Sequence, residues 1–118
     1  MTRQTAEKPG GFYRHHLLIC TNRRDDPARP GCGAQGGEEA FQQAKAALRA
    51  AGHKAQGVQV SRTGCLGRCE LGPVAVVYPD GIWYRCVNPK DIVTVVQQHL
   101  LEGRLAAVQR LSDERPDP

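Results

Sequence analysis

Four of the five cysteines in this chain fall into two groups, Cys20 with Cys32 and Cys65 with Cys69. The spacings are C-x11-C and C-x3-C, and glycines crowd both: Gly31, Gly33, Gly36 and Gly37 in one stretch, Gly64, Gly67 and Gly72 in the other. Thiolates gathered by two loops can hold iron. Bare backbone amides beside them can donate hydrogen bonds to the sulfurs and stabilise the negative charge. An iron–sulfur cluster therefore fits the residue types.

Other chemistries compete for the same cysteines. Structural zinc accepts four thiolates, but it usually takes them from short C-x2-4-C knuckles, which Cys65–Cys69 resembles and Cys20–Cys32 does not. Thiol–disulfide exchange typically uses C-x-x-C at the start of a helix, and that motif is missing from the sequence. Burial as small apolar residues suits Cys20 alone, not three further cysteines in polar, glycine-rich stretches. Neither common ferredoxin spacing is present, so spacing favours iron–sulfur over zinc without deciding between them. His15, His16, His53 and His99 all lie outside the cysteine loops and read as packed or solvated residues rather than ligands.

The elements that must position these cysteines follow from pattern. Arg14 to Thr21 holds a short apolar run that reads as a buried strand ending at Cys20. Residues 22–37 form a long loop with two prolines and four glycines, a length expected of a segment that binds something. Glu38 to Ala51 is Ala-rich, has two acids in its first turn and stops at Gly52, which predicts a helix with Phe41, Ala44, Leu48 and Ala51 on one face. Val58 to Ser61 predicts a second strand, and Arg62 to Pro73 is the second cysteine loop. Val74 to Tyr78 and Ile82 to Val87 flank Pro79-Asp80-Gly81, a hairpin signal. Asn88-Pro89 then caps a final helix whose apolar side is Ile92, Val95, Val96, His99 and Leu100. Leu105 to Leu111 is expected to add a short helix. The order β-α-β then β-β-α predicts an α/β fold: a thioredoxin-like mixed four-stranded sheet packed by helices. In such a sheet the loop after the first strand and the loop before the hairpin converge.

At 118 residues the chain suits one domain, expected over residues 14–111, with polar flexible tails at 1–13 and 112–118. No stretch approaches the roughly 18 apolar residues of a membrane helix, and no secretory leader is legible, so a cytoplasmic protein without a membrane partner is expected. In that compartment thiols stay reduced, and clustered cysteines point to metal or redox chemistry. A net charge of +4 is too small to argue for nucleic acid, and no basic helix or recognised motif supports it. No general base, nucleophile or substrate pocket is legible, so an enzyme is not expected.

The residues also resemble a known family, the thioredoxin-like [2Fe-2S] ferredoxins. The resemblance is carried by C-T-N-R-R at Cys20–Arg24, G-C-G-A-Q-G at Gly31–Gly36, and above all G-C-L-G-R-C-E-L-G-P at Gly64–Pro73. Y-P-D-G-I-W-Y at Tyr78–Tyr84, V-N-P-K-D at Val87–Asp91 and Q-H-L at Gln98–Leu100 add to it, over about His15 to Leu111. It implies Cys20, Cys32, Cys65 and Cys69 as ligands of one [2Fe-2S] cluster per chain. It implies a single-electron carrier between redox proteins, and a homodimer, with Trp83 and Tyr84 as candidate contacts. A zinc-stabilised interaction module built on the same four cysteines and an iron–sulfur sensor or cluster carrier are the alternatives. Cys86 departs from the pattern and reads as a buried thiol in a strand.

Overall fold

A computed structural model of the chain describes residues 12–21, 36–64, 66, 68 and 73–111. The elements are β1 (His15–Cys20), α1 (Glu38–Ala51), β2 (Val58–Thr63), β3 (Val74–Tyr78), β4 (Ile82–Arg85) and α2 (Pro89–Thr94). A 3-10 turn, Gly52–Ala55, follows α1, and α2 runs on into a π-helix, Val95–Leu101. The sheet order is β2-β1-β3-β4. β2 pairs with β1 in parallel, and the other two pairings are antiparallel. The four-stranded mixed sheet expected from the sequence is thus present.

Alternation along the strands separates two faces. Leu17, Ile19, Val58, Val60, Ala75, Val77, Tyr84 and Cys86 join Ala40, Phe41, Ala44, Ile92, Val95, Val96 and Leu100 in one buried core. Both helical segments therefore cover the same face. The opposite face carries a smaller buried group, Cys20 and Val74, packed by Leu66, Trp83 and Leu111.

Local chemistry explains the boundaries. α1 has Glu38 and Glu39 in its first turn, which complements the helix dipole, and Gly52 leaves the helix at φ +59, a conformation glycine adopts without a Cβ penalty. The β3–β4 turn closes with Gly81 at φ +72, its N–H bonded to Val77 C=O at 2.7 Å. Asn88 caps α2 in a capping box: its side chain accepts from Lys90 N–H while Asp91 accepts from Asn88 N–H.

Three expectations are corrected. β4 ends at Arg85, two residues short of Val87, because its pairing with β3 ends at Val74↔Arg85. β2 extends to Thr63, two residues beyond Ser61, because its pairing with β1 continues to Cys20↔Thr63. Residues 105–111 are not helical. Gly103 ends the preceding helix at φ +74, and the chain then runs beside β4. Arg85 N–H bonds to Gln109 C=O and Leu111 N–H to Trp83 C=O, each at 2.9 Å. These bonds satisfy the free edge of β4, which a helix would have left open. Replacing Asn88 by Ala is expected to lower stability by about 0.5–2 kcal/mol, measured as a shift in the urea midpoint with an unchanged slope.

Candidate metal centre

The parallel pairing brings several chain ends to one edge of the sheet. Cys20 ends β1 opposite Thr63, which ends β2. Thr21 N–H donates to Thr63 C=O at 3.0 Å, so the two strands leave the sheet together. β3 starts at the same edge, since Ile19 pairs with Ala75 and Val74 begins the strand. The start of α1 lies there too: Arg62, paired with Ile19, reaches Glu38 at 3.0 Å and holds its guanidinium 4.4 Å from the Phe41 ring centre. The segments that contain Cys32, Cys65 and Cys69 therefore begin and end at the edge where Cys20 sits.

Cys20 is the one proposed ligand among the described residues; Cys32, Cys65 and Cys69 lie outside them. Its side chain is fully buried, on the face opposite the helices, beside Val74, Leu66, Trp83 and Leu111. The Arg68 guanidinium lies 4.9 Å from the centre of the Trp83 ring. A thiol at a strand end, shielded from water on an apolar floor with Arg68 at the rim, suits an anionic thiolate cluster. The loop arginines divide accordingly. Arg62 stands on β2 and pairs with Glu38, Arg68 stacks on Trp83, and Arg23, Arg24 and Arg29 lie outside the described residues. Gly64 has no described atom within 4 Å of where a Cβ would stand, and Gly67 lies outside the described residues.

Over 105 residues the chain is 34% identical to the 2Fe-2S ferredoxin of Aquifex aeolicus (strain VF5), a match covering 87% of this chain and 92% of that protein. The chain belongs to the [2Fe-2S] ferredoxin family. This ferredoxin-family chain is also 33% identical over 99 residues to the 2Fe-2S ferredoxin of Clostridium pasteurianum, covering 83% of the one and 94% of the other. Its fold matches the crystal structure of the wild-type thioredoxin-like [2Fe-2S] ferredoxin from Aquifex aeolicus with a TM-score of 0.77 at 31% identity, over 86% of this chain and 99% of that one. No family model matches the chain.

Other residues singled out from sequence take defined places. Tyr84 is completely buried in the core, so it cannot make a contact between subunits; Trp83, on the other face, is half-buried beneath Arg68. His16 bonds to Ser61 Oγ at 2.9 Å. Sequence reasoning missed a buried polar chain. Ala106 N–H donates to Tyr84 Oη (3.0 Å), Tyr84 Oη lies 2.8 Å from His99 Nδ1, and His99 Nε2 lies 2.6 Å from Asp80 Oδ2. Only the amphipathic position of His99 hinted at it, since a histidine on an apolar helix face needs partners.

Cys86 is buried in the main core, as expected, although it lies one residue beyond the end of β4 rather than in a strand. Burial, and secondly the Asp91 carboxylate, push its thiol from 9.0 up to about 12. The thiol is therefore neutral in the fold and ionises more easily in the unfolded chain, so its contribution to stability is present below pH 9.0 and is lost as pH rises towards about 12. At about pH 8, where a free thiol is partly ionised, native Cys86 should resist iodoacetamide while urea-unfolded Cys86 reacts. Mass spectrometry of the alkylated peptide reads the difference, and equal labelling in both states would contradict this environment.

Proposed function

We propose that the chain carries single electrons between redox proteins by means of one [2Fe-2S] cluster held by the thiolates of Cys20, Cys32, Cys65 and Cys69. The observation that supports this most is the convergence at Cys20: the ends of β1 and β2 and the starts of α1 and β3 share one edge, and the other three cysteines belong to the segments between them. The relatives named 2Fe-2S ferredoxin supply the cluster type.

When bound, the cluster supplies reversible one-electron chemistry at iron. The chain's own part is environment. Cys20, buried at its strand end, excludes water from one side, and the Leu66–Trp83–Leu111 group extends that apolar floor. Arg62 and Arg68 place positive charge at the same edge, where an added electron raises negative charge. No step requires a general acid, a nucleophile or a bound substrate, so the chain acts as a carrier and not as an enzyme.

The domain proposed for this role spans residues 14–111, with polar tails at 1–13 and 112–118 outside it. A cytoplasmic location accords with reduced cysteines, and no helix among the described residues is long and apolar enough to cross a membrane. A homodimer is proposed because the resemblance to the thioredoxin-like [2Fe-2S] ferredoxins implies one.

Anaerobic purification with visible spectra and counts of iron and acid-labile sulfide tests the reading. A red-brown protein with about two of each per chain, bleaching on reduction, is expected; a colourless protein carrying zinc would overturn it. Cys65→Ala should abolish the cluster spectrum, because three thiolates leave an iron position open. Retention of that spectrum, with no recruitment of Cys86, would remove Cys65 from the ligand set. Arg68→Glu should lower the reduction potential, because it replaces a positive charge at the cysteine edge by a negative one and so opposes the added electron. Protein-film voltammetry reads it, and no shift would place Arg68 outside the cluster's field.

A further inference from the structure

At the sheet end opposite Cys20, three side chains from three separate elements meet. His15 opens β1, Asp80 stands in the β3–β4 turn, and His99 lies on the π-helix. One ring nitrogen from each histidine and one Asp80 oxygen all lie within 4.8 Å of one another. Asp80 Oδ2 is 2.6 Å from His99 Nε2 and 3.6 Å from His15 Nε2. We propose that His15, Asp80 and His99 form a second metal site, separate from the cysteine centre, for a divalent transition ion of the zinc class.

The donor set selects the ion class. Two imidazoles and one carboxylate suit zinc and its first-row neighbours, whereas calcium and magnesium prefer oxygen donors throughout. The separations suit it as well. A tetrahedral ion with ligands at about 2.0–2.2 Å holds its ligand atoms roughly 3.3–3.5 Å apart. His15–Asp80 is close to that spacing already, and His99–Asp80 needs a small rotation of the turn carboxylate. Asp80 is the mobile partner: its side chain is 44% exposed, while those of His15 and His99 are 13% and 2% exposed. The fourth position would face solvent on the Asp80 side and take water, as open zinc sites do.

The hydrogen bonding of the two histidines supports the same reading. His99 is held from behind: Tyr84 Oη contacts Nδ1 at 2.8 Å, which fixes the ring and aims Nε2 at the site, the usual arrangement for a metal-ligating histidine. His15 lacks a hydrogen bond of ordinary length among the described residues. Its Nδ1 is buried and unpartnered, and its Nε2 stands 3.6 Å from Asp80, beyond normal reach. An ion at Nε2 gives that nitrogen a partner at bonding distance, in place of a carboxylate beyond hydrogen-bond reach. Binding balances by choice of tautomer: neutral His99 carries its one ring hydrogen on Nδ1, donated to Tyr84 Oη, and the free Nε2 lone pair takes the ion in place of the contact with Asp80. His16 cannot substitute, because alternation turns it to the other face, where Ser61 holds it. Five residue steps of β1 separate His15 from Cys20, roughly 16 Å at strand rise, so the two centres should load independently.

The test is calorimetric titration of zinc chloride into the full-length, cluster-loaded protein. One zinc per chain is expected to bind without change in the cluster's visible spectrum. His15→Gln and Asp80→Asn should each weaken binding by more than the roughly 10- to 100-fold typical of losing an outer-shell partner. Asn keeps the turn chemistry at Asp80, and the visible spectrum reports that both variants fold. No zinc uptake, or equal uptake by wild type and both variants, would overturn the site. Ring nitrogen NMR of the wild type is a second readout. The His15 and His99 Nε2 signals should shift on zinc addition, and unshifted signals overturn the proposal whatever the variants do. Zinc captured by cysteines in a chain that had failed to load its cluster would leave those signals in place, so failure of the carrier reading is distinguishable.

Discussion

The parallel pairing of β1 with β2 is the constraint on which the cysteine centre depends. Six residue pairs run in register from His15↔Val58 to Cys20↔Thr63. In a parallel pair both strands leave the sheet at the same edge, so the chain must return along the whole sheet between them, and α1 makes that return. The exits after Cys20 and Thr63 are therefore neighbours. A register slip of one residue would turn Cys20 onto the helix-covered face and expose Leu17 and Ile19. Because those two side chains are buried in the main core, the hydrophobic pattern of β1 itself holds Cys20 on the correct side.

The same sheet explains why polar groups survive in the core. Tyr84 and His99 are both almost wholly buried, yet each has its bonding satisfied through Ala106 N–H and the Asp80 carboxylate. A buried hydroxyl or imidazole without partners would be costly, about 1–3 kcal/mol for each lost partner. The network places its exposed end on the hairpin turn, where Asp80 reaches water. It thereby ties the turn, β4 and the π-helix to one another by directional bonds, while the other sheet edge is left to the cysteine segments. The two ends carry different chemistry because the strand termini there belong to different connections.

Most of this frame was legible from residue pattern. α1 and β3 run from Glu38 to Ala51 and from Val74 to Tyr78, as periodicity and β-branched content predict, and the Asn88–Asp91 capping box is a local signal with a local cause. The misreadings arose where tertiary pairing overrides local preference. Residues 105–111 have helix-forming composition, but the unpaired edge of β4 offers backbone partners, and the chain takes them instead. Tyr84 looked available for contact between subunits because aromatic content does not reveal which face a strand residue takes; its alignment with Cys86 and Ile82 on the helix side decides that. The meeting of His15, Asp80 and His99 was not legible at all. The three are far apart in sequence, and Asp80 has a sufficient local explanation as a turn residue.

The positive charge at the cysteine edge is anchored rather than loose, and this bears on what it can do. Arg62 is fixed between the Glu38 carboxylate and the Phe41 ring, and Arg68 lies against Trp83. An aromatic face holds a guanidinium in place, and Glu38 screens part of the charge of Arg62. Arg68 stands on the Cys20 side of the sheet. Its charge rests on the ring that also packs against Cys20 and Val74, so one residue, Trp83, couples the apolar floor to the charged rim. A floor that excludes water lowers the local dielectric, and a lower dielectric lengthens the reach of the charge above it. Packing and electrostatics at this edge are therefore one device: loosening Trp83 would both admit water beside Cys20 and weaken the field of Arg68.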